Sequence, residues 1–146
     1  MSPFELVLAT KGSEFAVMDM HFKLGLYEHQ SASAIEGLLQ LIAKDANGVL
    51  SEGSPDHIES IKITAYEPAF GIIGDPAKRN PSTRQSADHS MVYIISTMLR
   101  KALKKNDLLK DKPDIEKLWK TLMLTPFDYG EEALNNPITR KLMEKI

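Results

Sequence analysis

An α+β domain, a small sheet packed with helices, is the fold class this sequence predicts, and three observations predict it. Residues 58–65 alternate apolar Ile58, Ile61, Ile63 and Ala65 with outward Lys62 and Thr64, the two-residue period of a strand with one covered face. Two longer segments, near 31–48 and 86–104, repeat apolar residues at helical spacing. No internal repeat or low-complexity linker divides the 146 residues, which suffice for one domain with a core, so 1–146 is read as one unit.

In chain order, residues 4–9 form a short apolar run that reads as a strand, closed by Lys11, Gly12 and Ser13. Phe15, Val17, Met20 and Phe22 alternate imperfectly around the polar Asp19 and read as a second strand. Ala32, Ile35, Leu38, Leu39 and Ile42 then mark an amphipathic helix, with Ser31 as its N-cap and Asn47-Gly48 as a left-handed stop. The alternating strand at 58–65 is closed by Pro68 and Gly71. Residues 75–86, holding Lys78, Arg79 and Arg84 among prolines, read as a cationic loop. The longest helix follows, with Ala87, Met91, Ile94, Ile95, Met98, Leu99 and Ala102 on one face. After Pro113 a shorter helix carries Ile115, Leu118 and Trp119, residues 122–124 read as a brief strand, 126–136 as a loop, and a last helix opens at Pro137.

The totals exclude several classes of function. Eighteen basic and twenty acidic side chains are interspersed, for a net charge of −2, which gives a nucleic-acid partner no basic surface. The cluster of Arg100, Lys101, Lys104 and Lys105 suits the negative end of a helix dipole. Without cysteine there is no disulfide, thiolate nucleophile or protein-ligated iron–sulfur cluster. No apolar stretch reaches the length needed to span a bilayer, and no signal peptide is visible, so a soluble intracellular protein without a membrane partner is expected. His21, His29, His57 and His89 show no metal-ligand spacing, and Gly71 to Gly74 lacks the lysine of a phosphate loop, so no metal and no cofactor are expected.

Two places can carry chemistry. Lys23, Tyr27, Glu28 and His29 fall in a short link ahead of the first helix, where amide donors and the dipole favour a carboxylate, and a lysine with a histidine makes a binding and proton-transfer pair. Arg84, Asp88 and His89 lie where the cationic loop enters the longest helix, and an arginine fork there suits a polycarboxylate. The bland alternatives are a solvated loop histidine and an acid answering the helix dipole. Tyr66 and Tyr93 read either as phenols serving a site or as aromatics filling a core, the core being the default.

Three stretches in order carry a resemblance over most of the chain, from about Phe15 onward. They are His21-Phe22-Lys23-Leu24-Gly25-Leu26-Tyr27-Glu28-His29-Gln30-Ser31-Ala32; then Ile61-Lys62-Ile63-Thr64-Ala65-Tyr66-Glu67 with Asn80-Pro81 and Ala87-Asp88-His89-Ser90-Met91-Val92-Tyr93-Ile94; then Leu118-Trp119, Asp128-Tyr129 and Pro137-Ile138-Thr139-Arg140. Together these resemble the MmgE/PrpD family. The resemblance implies the smaller, substrate-covering α+β domain of such an enzyme, incomplete and without the large all-helical domain that forms the other wall of the active site. It implies a hydro-lyase that eliminates water from 2-methylcitrate to give 2-methyl-cis-aconitate in propionate catabolism, independent of an iron–sulfur cluster, with this chain inactive alone. A cis-aconitate decarboxylase-like branch and a stand-alone tricarboxylate-binding or regulatory module are the rival readings. On the matched positions His29 and Tyr66 are implied as catalytic, and Lys23, Arg84, Asp88 and His89 as substrate-binding. The implied partners are a tricarboxylate, 2-methylcitrate or citrate, and a second copy in a homodimer. The implied compartment is the cytoplasm in a bacterium or the mitochondrion in a eukaryote.

Overall fold

The computed structural model describes residues 10–146, apart from 21, 24, 51, 110 and 111, and the side chains of 16 and 108. Every regular element among the described residues is helical: α1 (Ala32–Lys44), α2 (Ala46–Leu50), α3 (Glu67–Ile73), α4 (Arg84–Asp88), α5 (Met91–Lys104), α6 (Asn106–Leu109), α7 (Ile115–Leu122), α8 (Glu131–Leu134) and α9 (Pro137–Met143), with short 3-10 turns between.

The centre of the fold is α5. Residues 91–100 are all buried, and the helix packs against α9, α1, α4, α6 and α7. A helix covered on all sides must be apolar nearly all round, and Tyr93, Ile94 and Met98 are wholly enclosed. Each such side chain contributes roughly 1.5–3 kcal/mol of burial. The helix starts sharply because Ser90 Oγ accepts from the Tyr93 amide at 3.2 Å. What reads as one helix from 86 is therefore two, with α4 ending at Asp88. On α1 the expected stripe is present, with Ile35, Leu39 and Ile42 fully buried. Ser31 occupies the cap position of α1 without a side-chain bond, and Glu28 caps the preceding turn His29–Ser31 instead. Asn47-Gly48 does not stop the chain: Asp45 interrupts it and accepts from the Gly48 amide at 2.9 Å, starting α2. Left-handed backbone falls instead at Gly53, φ +63°, and at Lys112, φ +48°.

The α+β expectation is corrected: no strand occurs among the described residues. The segment 58–65 is extended, and its alternation is real, since Ile61, Ile63 and Ala65 are half-buried while Lys62 and Thr64 are exposed. A two-residue period reports one-sided burial, however, whereas a strand also needs a hydrogen-bonded neighbour. The segment lies against the end of α9, where the Ile61 amide donates to Lys145 O at 2.7 Å, and no ladder continues from there among the described residues. The strand expected from Phe15 fails over residues 15–20 for a different reason. Local bonds, Met18 N to Phe15 O at 2.9 Å and Met20 N to Val17 O at 3.3 Å, close 3-10 turns, and Phe15, Val17 and Met20 remain exposed. The run 4–9 lies outside the described residues. Leu122 belongs to the last turn of α7, where the Met123 amide donates to Trp119 O at 3.0 Å.

The stretch read as a loop at 126–136 is ordered around one carboxylate. Asp128, 8% exposed, accepts from the Thr125 amide at 2.9 Å and hydroxyl at 3.0 Å, capping the turn Pro126–Tyr129. It also meets Lys101 Nζ at 2.9 Å and Arg100 Nη2 at 3.4 Å on α5. Burial alone would raise its pKa, but hydrogen bonds from Lys101 and Thr125 and the Lys101 charge outweigh that and hold it below the usual carboxylate range. Nearby, Arg140 on α9 clamps the cationic loop, donating to Asn80 Oδ1 at 2.6 Å, Pro81 O at 2.8 Å and Leu134 O at 2.7 Å.

Two outcomes follow from this junction. Replacing Asp128 with Ala leaves two cations of α5 facing an empty, desolvated space and is expected to cost about 3 kcal/mol, read as a lower urea midpoint. Because the folded carboxyl titrates below the unfolded value of about 3.9, its contribution is complete above that pH and is lost as pH falls through the folded value. Urea midpoints measured from about pH 5 down to about pH 2 should decline less steeply in Asp128→Asn than in the parent chain. Equal slopes would remove Asp128 as the cause.

Candidate functional site

Residues 25–28 cross the surface of the helices without regular structure and lead into the turn His29–Ser31, held at successive points. The Tyr27 ring is buried edge-on against Trp119 of α7, with centroids 6.4 Å apart at 84°. Lys23 Nζ donates to Tyr27 O and stands 5.4 Å from the centroid of the Tyr27 ring, a cation over an aromatic face. The Tyr129 hydroxyl donates to Leu26 O. One residue further, the Glu28 amide donates to Asp88 O at 2.9 Å, joining this segment to the end of α4. The Glu28 carboxylate turns back to accept from the Gln30 amide at 2.7 Å, which aims His29 outward.

The facing wall is α4 and the residue after it. Thr83 and Ser86 exchange backbone and hydroxyl bonds in a capping box, which places Arg84 at the first position of the helix. Asp88 ends it, and its carboxylate contacts His89 Nδ1. Ser90 Oγ donates to Lys78 O at 2.6 Å, so the cationic loop, the short helix and the start of α5 form one unit.

Between the walls is a cleft of about 260 Å³, lined by Lys23, Leu26, Tyr27, Glu28, His29, Arg84, Asp88, His89 and Tyr129. Five of the six residues singled out from sequence meet there: Lys23, His29, Arg84, Asp88 and His89. Tyr66 does not line it. It caps α3 and is 53% exposed. Tyr129 is the lining residue that residue-level reading passed over, because 126–136 looks like a loop; Thr125-x-x-Asp128, a capping-box spacing, was the available signal.

The cleft collects complementary chemistry. Arg84 has no hydrogen bond or ion pair among the described residues, so its guanidinium fork is free to take a carboxylate. Lys23 uses one donor on Tyr27 O and keeps two. His29 is exposed, and its ring has no hydrogen bond among the described residues. His89, contacted at Nδ1 by Asp88, can offer Nε2, the arrangement in which a carboxylate orients an imidazole. Burial pushes the Tyr129 phenol far above its ordinary value and raises that of Tyr27 as well, so both stay protonated near neutrality. The arrangement brings together the groups that binding a small polyanion and moving a proton require. Among the described residues no group of three or more histidines and carboxylates is placed to hold a metal ion, and no helix is long and apolar enough to cross a membrane.

The family model described as the MmgE/PrpD C-terminal domain matches residues 27–123, a stretch that holds His29, Tyr66, Arg84, Asp88 and His89. No curated protein and no solved structure matches the chain.

The cleft segment needs glycine at position 25, where an added Cβ would stand 2.6 Å from the Tyr27 ring and 2.5 Å from Met123 Sδ. Gly25→Ala is expected to displace the ring and lower stability by about 1–3 kcal/mol in a denaturant titration. An unchanged midpoint would mean the segment yields at no cost.

Proposed function

The chain belongs to the MmgE/PrpD family, and we propose that its cleft is the tricarboxylate-binding wall of a 2-methylcitrate dehydratase. The observation that carries the reading is the convergence of Lys23, Arg84, His29 and His89 in one small cleft. Elimination of water needs cations to hold carboxylates and to balance the charge that develops beside one of them. It also needs a base for a weakly acidic proton and an acid for the departing hydroxide.

In this reading Arg84 takes one carboxylate as a bidentate pair and Lys23 a second as a point charge. His29, its ring exposed and without a hydrogen-bond partner among the described residues, serves proton transfer. Asp88 fixes the His89 ring so that its other nitrogen faces the ligand. Tyr66 stays outside the cleft and takes no step. The second wall comes from a helical domain, so the chain by itself binds the tricarboxylate without turning it over.

Calorimetric titration with 2-methylcitrate and with citrate tests the binding. Lys23→Ala and Arg84→Ala should each weaken it about tenfold, equivalent to about 1.4 kcal/mol for a lost charge-assisted bond. Indistinguishable isotherms for the parent and both variants would sink the assignment of the cleft. Formation of a new carbon–carbon double bond, followed by absorbance, is expected to be absent. Turnover by the chain that vanishes in His29→Ala would show instead that this wall is a sufficient site.

A further inference from the structure

We infer that Tyr129 is a positioning residue of this cleft: through its hydroxyl it holds residues 23–29 in the register that presents Lys23 and His29 to a ligand. The inference rests on the tricarboxylate reading and adds to it a residue outside the matched stretch 27–123.

Three observations carry it. Tyr129 is 2% exposed yet borders the cleft, so its ring forms the floor rather than a rim. Its hydroxyl is already spent on Leu26 O, which leaves no proton to donate to a bound carboxylate and separates positioning from direct contact. The ring is itself set from below. It lies 6.0 Å from the Tyr93 ring at 36°, and the Tyr93 hydroxyl donates to Asp128 O at 2.6 Å, so the phenol is aimed by the core helix α5 and the Asp128 turn. Residues 25–28 have no regular secondary structure to hold their own shape. The Tyr129 bond at Leu26 and the Glu28 amide bond to Asp88 O are the hydrogen bonds that fix their backbone across from α4, and they lie two residues apart. Loss of the first leaves the Glu28 bond and the Tyr27 ring on Trp119 to hold the segment.

Tyr129→Phe removes the hydroxyl and keeps the ring. In the ligand-free chain, amide hydrogen exchange at Glu28 should rise at least tenfold, with exchange across α5 unchanged, which also establishes that the variant is folded. Citrate affinity should fall about tenfold. Because the effect passes through residue 23, the same change made in Lys23→Ala should cost clearly less than in the parent. Unchanged exchange at Glu28, or a rise shared with α5, overturns the positioning role. So does a full tenfold loss of affinity in the Lys23→Ala background, which would indicate direct contact. A parent chain that binds no citrate overturns the ligand half. That failure is recognisable as one of the tricarboxylate reading, because the exchange experiment uses no ligand.

Discussion

The carboxylate of Asp128 joins the parts of this fold that sequence separation would leave apart. Helix α5 is enclosed along most of its length, and enclosure poses a problem at Arg100 and Lys101, whose charges cannot be left in a low-dielectric interior without a partner. Asp128 supplies the partner for both, and the same carboxylate closes its own turn on Thr125. The turn is therefore anchored to the core helix by charge and capped locally by hydrogen bonds. Asp128 stays ionised because the groups that hold it outweigh the penalty of its burial. One residue further lies Tyr129, so the electrostatic junction also decides where the floor of the cleft sits.

Both walls of the cleft depend on this arrangement, although neither is a long regular element. One wall is an irregular segment held by Tyr27 on Trp119, by Tyr129 on Leu26 and by Glu28 on Asp88. The other is a single helical turn carried by the start of α5, with the loop before it clamped by Arg140. Irregular backbone can be this well placed only where its hydrogen-bonding groups are answered one by one, and here the Tyr129 hydroxyl, the Lys23 ammonium and the Asp88 carbonyl answer them. Rigid helices thus position a site made of loops, which leaves the charged groups free of packing duties.

How much of this was legible in the sequence depended on whether a signal was local. The stripes of α1 and α5 were, because 3.6-residue periodicity is written in neighbouring residues and burial then confirms it at Ile35, Leu39, Ile42, Ile94 and Met98. The alternation at 58–65 was read correctly as one-sided burial and incorrectly as a strand, since the pairing that defines a strand depends on residues elsewhere. Helix α3 went unread because Gly71 and Pro68 look like breakers, although a proline in the first helical turn is compatible with a start. In the site, charged and imidazole side chains announced themselves by chemical type, and five of the six chosen residues meet. Tyr66 was drawn in by resemblance and stands apart. Tyr129 falls in a stretch that reads as a loop, and nothing short of the fold shows its hydroxyl meeting a carbonyl 103 positions away.

The two cations of the cleft differ in how much of a ligand's binding energy each would retain. Lys23 is already ordered, with its ammonium on Tyr27 O and near the Tyr27 ring, so a carboxylate arriving there meets a group whose conformational freedom is largely spent. It must, however, compete with an existing bond, and the net gain is the difference between the two. Arg84 is exposed and unpaired among the described residues, so it loses nothing by engaging, but ordering its long side chain costs roughly 0.5–1.5 kcal/mol. Its planar fork recovers that by making two parallel bonds at once. A ligand with carboxylates at both ends of the cleft therefore has one end received by a preorganised point charge and the other by an adaptable fork. That combination tolerates small differences in ligand length while keeping the first carboxylate, and the carbon beside it, in a constant place relative to His29.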